Sequence, residues 1–590
     1  MVLFRRALHL MLAFVALMAL GNFSCSKGNA CRTDRDCPND GNCLLGSCFV
    51  QREFGEGSSR EVLREQANES QPETNEQEKY LTKEEVQREH PVGDGRDGGT
   101  TFESIEPDTS VEAVLEMTPD ATCSSCSWLF LGMSPPQTSG SIDGLRSVQG
   151  RSGELYLVLR FHGTISIGGA TYSAKGVRDS LLVKLDNQGT FQWAQQWGGS
   201  QANFHVVQVK LDSTGASLFL GGTFKGSLLL GSNVLSSVNG TIDSYVARFD
   251  LDSKTFTWVH PFGSDTVDAL RTIVVDSKDH VHALVYSRGF IKMGKPGPND
   301  PTGTFNDNMM MQFDPKGALL RTFAPQGSDF RVYSLACDAK GNLILAGYVK
   351  GSLTFDSTHK VTTGSKVPNV SHLFLGKLDA NYKVQWLRSY PTSEFASTII
   401  PESLILSSSK IAVVGSWRGA SLFIGTPQEL KPVNGPKETL DLFVAEFDLQ
   451  GKVLQTARWG DFISDYGFAI LSNPRGGYYI GGSYGGDAFF SKNKSFSGAK
   501  PAIGIDPFAL RLNAKLQPTW LVSLPGGSAQ QKTGGDMDGI HQLYLDKQGC
   551  LIVVGFFRSD ATFGCFGQKK LNQGGSVGIF VWKVGSRTSK

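Results

Sequence analysis

Few residues in this chain are spaced so that they could hold a metal ion. His280 and His282 lie two residues apart, so both imidazoles would lie on one face of a strand. Zinc sites take three or four protein ligands, and no further ligand at a suitable spacing accompanies this pair. The Asp-rich turns at 250–252 and 276–279 lack the dense acidic spacing of a calcium loop. We therefore predict ordinary strand and turn residues here, and no metal or cofactor site.

Catalytic and phosphate-binding motifs are equally scarce. The glycine pairs at 221–222, 476–477 and 485–486 follow apolar runs and open no helix, whereas a phosphate loop needs a helix N-terminus. No Gly-x-Ser-x-Gly motif stands between a strand and a helix. The sequence thus nominates no catalytic residue, although residues from several repeats could still converge on one site.

Eight of the ten cysteines are candidates for disulfides. Four of them lie in a short stretch rich in Asp, Asn and Gly, with almost no apolar residues to form a core, so disulfides would have to hold it together. These four are Cys31, Cys37, Cys43 and Cys48. Three pairings are open to them, and the sequence does not choose. Zinc is disfavoured, because the spacings are long and no His lies nearby.

The later cysteines form two pairs and a single residue. Cys123 and Cys126 make a Cys-x-x-Cys without a helix behind it to lower a thiol pKa, so a disulfide is expected, either local or to another segment. Cys550 and Cys565 are expected on neighbouring strands of the last repeat, where a disulfide would staple that repeat. Cys337 replaces an apolar strand residue and is expected to be a buried free thiol.

Residues 1–24 have the pattern of an export signal. Arg5 and Arg6 precede an apolar run, residues 7–20, that is too short to span a bilayer comfortably. Cys25 follows and resembles the lipidated cysteine of bacterial lipoproteins, although only Ser24 matches the small residues that usually precede it. We expect either an outer-membrane or cell-surface lipoprotein or a secreted protein, with a Cys-rich module at 25–50.

The next two segments have net charges of opposite sign. Residues 51–122 are dominated by Glu, Gln, Ser and Asn and carry a net charge of −12, which predicts a disordered acidic linker. Residues 123–590 carry a net charge of +11. This basic domain could attract the linker or an anionic partner, or its charges could be spread over the surface without forming a patch.

A repeated phrase runs through residues 123–590. An Asp is followed by alternating apolar residues, an Asp-x-x-Gly turn and an aromatic residue, as in the segment from Asp179 through Asp186 and Gly189 to Trp193. Seven copies occur, and the residues that close their strands are 64 to 71 positions apart. A period of this size indicates stacked supersecondary units.

A second phrase alternates with the first: an apolar strand, an Asp-x-x-Gly turn and an apolar strand that ends in Gly, as at 335–347 and 544–555. Each phrase is a hairpin, because Asp starts the turn and Gly takes the positive φ that closes it. Two hairpins a period give four strands, which is one blade of a β-propeller. The sequence therefore predicts an all-β fold with a seven-bladed propeller of four-stranded blades.

The ends of the repeat region predict how the ring closes. The seventh copy of the first phrase, 577–584, lacks its Trp-bearing return strand, and Ser127–Gly132 looks like that missing strand. The N-terminal strand would then complete the last blade and leave no open edge.

The amino-acid sequence of the repeat resembles that of the bacterial SBBP-type β-propeller repeats. Trp-Gly-Gly at 197–199 and Asp-x-Phe-Val-Ala-x-Phe-Asp at 441–448 carry the resemblance, which covers about 460 residues. It implies a fold and an extracellular location, and it implies no catalytic residue, because the repeat motif is itself structural.

Two functions follow as expectations. The first is an exported binding module for a protein or a polysaccharide, an anionic one included, with the longer loops 295–305 and 427–439 as contact regions. The alternative is an extracellular propeller enzyme, a glycan lyase or hydrolase, with its site at the channel mouth. In both cases we expect a monomer that touches a membrane only through a lipid on Cys25 and binds no nucleic acid.

Overall fold

The computed structural model describes residues 42–44, 47–49, 128–132, 140–200, 202–287, 289, 291–293, 307–364, 370–392, 397–419, 421–432, 437–460, 464–486, 502–523, 539–557, 561–563, 569–571 and 578–584. The predicted signal peptide, the linker and six cysteines lie outside the described residues. These cysteines are Cys25, Cys31, Cys37, Cys123, Cys126 and Cys565.

The main sheets are seven antiparallel blades arranged in a ring, five with four strands and two with an additional short strand, which confirms the predicted seven-bladed β-propeller. Before them, β1 (Asn42–Leu44) and β2 (Ser47–Phe49) form a short hairpin whose register sets Cys43 opposite Cys48. Next along the chain comes β3 (Trp128–Gly132). The described part of the chain contains no helix with the length and hydropathy of a membrane span.

Blades 1 to 3 follow in chain order. Blade 1 contains β4 (Ser141–Gln149), β5 (Leu155–His162), the hairpin β6 (Thr164–Ile167) and β7 (Ala170–Ser173), β8 (Asp179–Leu185) and β9 (Phe191–Trp197). Blade 2 contains β10 (Asn203–Leu211), β11 (Ser217–Lys225), the hairpin β12 (Ser227–Leu230) and β13 (Asn233–Ser236), a 3-10 turn at Val238–Gly240, β14 (Asp243–Asp250) and β15 (Thr255–Gly263). Blade 3 contains β16 (Asp268–Val275), β17 (Val281–Ser287), β19 (Asp307–Phe313) and β20 (Leu319–Phe323). The short strand β18 (Lys292–Met293), between β17 and β19 in the chain, pairs with β15 at the edge of blade 2.

Blades 4 to 7 complete the ring. Blade 4 contains β21 (Gln326–Cys337), β22 (Leu343–Thr354), β23 (Lys360–Thr362), β24 (His372–Leu378) and β25 (Val384–Tyr390). Blade 5 contains β26 (Thr398–Leu406), β27 (Lys410–Gly419), β28 (Lys437–Asp448) and β29 (Val453–Trp459). Blade 6 contains β30 (Tyr466–Ser472), β31 (Tyr478–Gly486), β32 (Ala502–Leu512) and β33 (Pro518–Ser523). Blade 7 contains β34 (Gly539–Leu545), β35 (Leu551–Phe557), the hairpin β36 (Ala561–Phe563) and β37 (Lys569–Leu571), and β38 (Gly578–Lys583).

The N-terminal strand closes the ring as the sequence predicts. In blade 7, β3 pairs antiparallel with β38, and the strand order is β3-β38-β35-β34. Blade 7 also packs against blade 1, since Ile552 and Val581 share an apolar cluster with Leu157 and Leu181. Because each blade buries its apolar faces against the two neighbouring blades, the first and last parts of the propeller stabilise each other.

Candidate binding site at the channel mouth

The channel has two unlike ends, which we name by their connections. At the turn face, tight turns join the first strand of a blade to the second and the third to the fourth. At the loop face, longer connections join the second strand to the third and one blade to the next. In every blade the first strand is the innermost, so its residues run along the channel from the loop face to the turn face.

Each innermost strand carries a β-bulge at the equivalent position, near the loop face. A bulge adds one unpaired residue and re-aims its side chain. In blade 5 two residues, Pro401 and Glu402, occupy the bulge. The seven residues at this level, which we call the bulge ring, are Asp143, Val207, Arg271, Tyr333, Glu402, Phe468 and His541.

Glycines on the second strands make room for these bulges. A Cβ on Gly347 would lie 1.9 Å from the carbonyl oxygen of Arg331, and one on Gly482 would lie 1.9 Å from that of Tyr466. Gly222, Gly415 and Gly555 stand in the same relation to the first strands of their blades. The Gly that ends the second sequence phrase is therefore required by the close approach of the bulged strand.

Charged residues of blades 1, 3, 4 and 5 interact around the channel. Arg271 interacts electrostatically with Arg331 and Glu402, and Glu402 also interacts with Arg146 of blade 1. Arg271 and Arg331 lie over the ring of Tyr286, at 5.7 and 5.3 Å from its centroid. Side chains from four separate repeats thus share one electrostatic environment.

Burial lowers the pKa values of two of these guanidinium groups, those of Arg146 and Arg271. It lowers the pKa of Arg146 to about 9, against the raising effect of Glu402 and Tyr544. Burial and the positive charge of Arg331 also lower the pKa of Arg271. Both side chains nevertheless remain half-buried, because they lie beside the channel rather than in the packed core.

Aromatic residues occupy the bulge ring in blades 6 and 7. The rings of Phe468 and His541 stack at 4.5 Å with an interplanar angle of 6°. The ring of Tyr466, a buried residue, stacks on that of Phe468 at 5.9 Å and 7°. These three nearly parallel rings lie on blades 6 and 7. Tyr333 of blade 4 packs against the same apolar cluster as Tyr466.

The bulge residue of blade 1 has its partners within its own blade. Asp143 accepts hydrogen bonds from Arg160 Nε at 2.7 Å and from Arg178 Nε at 2.6 Å. His205 of blade 2 lies behind this group with its Nε2 buried and without a hydrogen-bond partner. Burial, together with the charges of Arg160 and Arg146, lowers the pKa of His205 well below its usual range, so the imidazole is neutral.

In blades 1 and 2 the first Asp of the repeat phrase anchors a connection at the loop face. Asp179 accepts a hydrogen bond from the backbone N–H of Lys175, and Asp243 accepts one from Val238, so each holds the connection that precedes its strand. Burial, with a smaller contribution from Asp268, raises the pKa of Asp243 to about 7, against the hydrogen bonds that it accepts.

His280 and His282 both contact Asp276, the residue that begins the turn between β16 and β17. Asp276 accepts from His280 Nδ1 at 2.9 Å and lies 3.4 Å from His282 Nε2, while His282 Nδ1 is hydrogen-bonded to the Tyr382 hydroxyl at 3.1 Å. Burial raises the pKa of Asp276, but the hydrogen bonds from both histidines outweigh it and hold this pKa below its usual range. Among the described residues, no group of three or more His, Cys, Asp or Glu is placed to hold a metal ion.

The structure describes two of the later cysteines, Cys337 and Cys550, and they differ in bonding state. Cys337 is a free thiol but is half-buried rather than fully buried, and burial raises its pKa to about 11. Cys550 is disulfide-bonded, while its predicted partner Cys565 lies outside the described residues, so that pairing stays a prediction.

The loops nominated as contact regions are only partly covered by the described residues. Loop 295–305 lies outside them. In loop 427–439, Leu430 is buried and bridges to Leu422, so this part of the loop packs against blade 5.

The sequence analysis missed the bulge ring and the role of the repeat tryptophans. Trp258 Nε1 donates to the Pro315 carbonyl at 3.1 Å, and Trp386 Nε1 donates to the Leu449 carbonyl at 3.1 Å. Each indole therefore ties the outer strand of one blade to a turn of the next. The regular recurrence of Trp at this strand was the signal that could have revealed the tie.

Comparisons with known proteins add little to this site. No protein-family model and no curated protein matches the chain. Among solved structures, the phage phi92 endosialidase is 8% identical over 78% of this chain and 69% of its own, with a TM-score of 0.34. The Pyrococcus horikoshii acylaminoacyl peptidase is 9% identical over 74% and 52%, with a TM-score of 0.33. A protein of unknown function from Bacteroides caccae is 8% identical over 58% and 89%, with a TM-score of 0.29. Such low TM-scores carry no argument about function.

Proposed function

We propose that this chain is an exported β-propeller of the SBBP type that binds a protein or glycan at the loop face, where the channel opens. The observation that carries the proposal is the bulge ring. Seven repeats with one backbone plan place seven different side chains at one level of the channel, and five of them are half-buried residues of blades 3 to 7. A purely structural ring would repeat one residue type, as the turns do.

The character of the ring favours binding over catalysis. Its two carboxylates lie apart: Asp143 is paired with Arg160 and Arg178, and Glu402 interacts with Arg146 and Arg271. Paired acids that work as general acid and base need environments that separate their pKa values. The half-buried rings of Phe468 and His541 and a set of guanidinium groups instead suit recognition of a ligand by apolar contact and by charge.

The N-terminal segments support display outside the cytoplasm. In this proposal residues 1–24 direct export, Cys25 carries a lipid, and the acidic linker holds the propeller away from the membrane surface. Fractionation of cells that express the chain tests this part, with Cys25→Ala beside the wild type. We expect the wild-type chain in the membrane fraction and the variant in the soluble extracytoplasmic fraction; a variant that stays membrane-bound contradicts lipid anchoring.

Binding is tested with the mature chain on panels of glycans and envelope proteins. Tyr333→Ala removes a bulge-ring side chain. Arg321→Gln removes a guanidinium group at the turn face, where it donates to Asn381 Oδ1 and the Ala380 carbonyl. We expect Tyr333→Ala to lose the ligand and Arg321→Gln to keep it. Equal loss from both variants would refute a loop-face site, and release of a shortened glycan would favour the propeller enzyme.

A further inference from the structure

The short hairpin before the propeller places two cysteines directly opposite each other. In the register of β1 and β2, Cys43 is paired with Cys48 and Leu44 with Ser47. Two residues, 45 and 46, separate the two strands in the sequence. Because the length of its loop fixes the register of a hairpin, this two-residue connection holds Cys43 opposite Cys48.

The position of the pair in the ladder suits a disulfide. Leu44 and Ser47 close the two-residue loop, and the residues that close such a loop are hydrogen-bonded to each other. Hydrogen-bonded and non-hydrogen-bonded pairs alternate along an antiparallel ladder, so Cys43 and Cys48 form a non-hydrogen-bonded pair. The Cα atoms of such a pair lie about 4.5 Å apart, and disulfides join residues whose Cα atoms are about 4.4–6.8 Å apart.

The Cys-rich module, residues 25–50, has little else to hold this hairpin. Its large apolar residues are confined to the hairpin and its flank, and they are Leu44, Leu45, Phe49 and Val50. A two-stranded hairpin without a further strand or a core is marginally stable in water. A covalent bond across the strands would supply the missing stability.

A bond between Cys43 and Cys48 would also decide the other pairing in the module. Of the three pairings open to the four cysteines, one contains this bond, and in it Cys31 is joined to Cys37. Cys25 is then the odd cysteine of the module.

The propeller does not require a cysteine from this module. Cys550 of blade 7 is disulfide-bonded, and Cys337 is a free thiol. Cys123, Cys126 and Cys565 remain as partners for Cys550 once the four cysteines of the module pair among themselves.

We infer that Cys43 and Cys48 form a cross-strand disulfide, that Cys31 and Cys37 form a second one, and that Cys25 is left for the lipid. Each bond forms when two thiols give up two protons and two electrons to the disulfide of an extracytoplasmic thiol oxidase, which is reduced to two thiols. The inference rests on the export in the proposed function, because such an oxidant acts outside the cytoplasm.

Digestion without reductant tests the pairing directly. Trypsin and Asp-N together yield three peptides, which are 28–32 with Cys31, 36–39 with Cys37, and 40–52 with Cys43 and Cys48. In the exported Cys25→Ala chain, we expect mass spectrometry to find the first two peptides joined. The third should be separate and should gain the mass of two hydrogens on reduction. All three peptides joined together, which both other pairings require, would overturn the inference, as would a link to the peptide that contains Cys550.

Single substitutions provide an independent check. Cys43→Ser is expected to expose one new thiol to maleimide, that of Cys48, in addition to any label on Cys337, and to leave the first two peptides joined. Cys31→Ser is the matched control and should expose Cys37 alone while peptide 40–52 stays closed. Labelling of Cys31 or Cys37 in the Cys43→Ser chain would contradict the pairing.

Oxidation of the purified chain separates this inference from the proposed function. If the chain from cells carries four reduced thiols in the module, but a glutathione buffer produces the Cys43–Cys48 bond, the pairing is right and the proposed export is wrong. If the wild-type chain is membrane-bound and the Cys25→Ala chain is released, but the peptides are joined in another way, the proposed anchoring stands and the pairing is wrong.

Discussion

The turn face and the loop face of this propeller are built from the same strands, but the connections repeat at the turn face and vary at the loop face. At the turn face nearly every connection repeats one hydrogen-bond pattern, as at Asp186, Asp314 and Asp448: the Asp N–H donates to the carbonyl four residues on, and the Gly three residues on donates back. The Asp carboxylate also accepts two backbone N–H groups. At the loop face the connections differ in length and content from blade to blade. Repetition at one end therefore serves stability, and variation at the other end leaves room for recognition.

The largest expected effect comes from a tie between blades at the turn face. Trp386→Ala removes a buried indole and its hydrogen bond to Leu449, so we expect a loss of about 3–5 kcal/mol in the free energy of unfolding. Urea unfolding measures it. Leu454→Ala, at a residue exposed on blade 5, is the control and should change little. If Trp386→Ala proves as stable as the wild type, the ties between blades do not hold the ring together.

A smaller effect is expected at Gly347, where the second strand of blade 4 lies against the bulged first strand. In Gly347→Ala the new methyl group would collide with the Arg331 carbonyl, so the bulged strand must move. We expect a loss of about 1–3 kcal/mol in the free energy of unfolding, and weaker ligand binding at the loop face in the protein that remains folded. Unfolding and binding assays on the same sample measure both. Normal binding by a destabilised variant would show that the bulge does not position the loop-face site.

The loop face should also respond to pH. Because burial raises the pKa of Asp243 to about 7, the folded protein binds this proton more tightly than the unfolded chain does. Its stabilising contribution is complete below the ordinary pKa of Asp and is lost as the pH rises through about 7. We expect Tm to fall by about 1–2 °C between pH 6 and pH 8.5, because the unfolding entropy of so large a domain is high. Asp243→Asn should flatten this dependence, and an unchanged slope in that variant would assign the effect to another group.

The smallest effect is expected at a single turn. Asp448→Ala removes the acceptor for the backbone N–H groups of Gln450 and Lys452, which are exposed and can turn to water. We expect a loss of about 0.5–1.5 kcal/mol in the free energy of unfolding and no change in ligand binding. A loss as large as that of Trp386→Ala would mean that each turn, and not the contact between blades, limits stability.

Prediction from sequence succeeded where the signal is local. The Asp-x-x-Gly turns, the alternating strands and the missing return strand after residues 577–584 are all readable within one repeat, and β3 completes blade 7 as they indicate. The bulge ring was missed because a bulge is a shift in register against a partner strand. The glycines that permit it, such as Gly347, look the same in the sequence as ordinary strand ends.

By itself the sequence determined the number of blades, the four strands in each and the strand that closes the ring, because hydrogen bonding and burial within a repeat depend on residues close together in the chain. Only the tertiary structure decided which side chains share the channel. Ser147 and Tyr544 are hydrogen-bonded at 2.9 Å although 397 positions separate them, and Glu402 meets Arg146 and Arg271 from another blade. Closing the ring brings these repeats together, and no pattern within a repeat encodes which residues will then face one another.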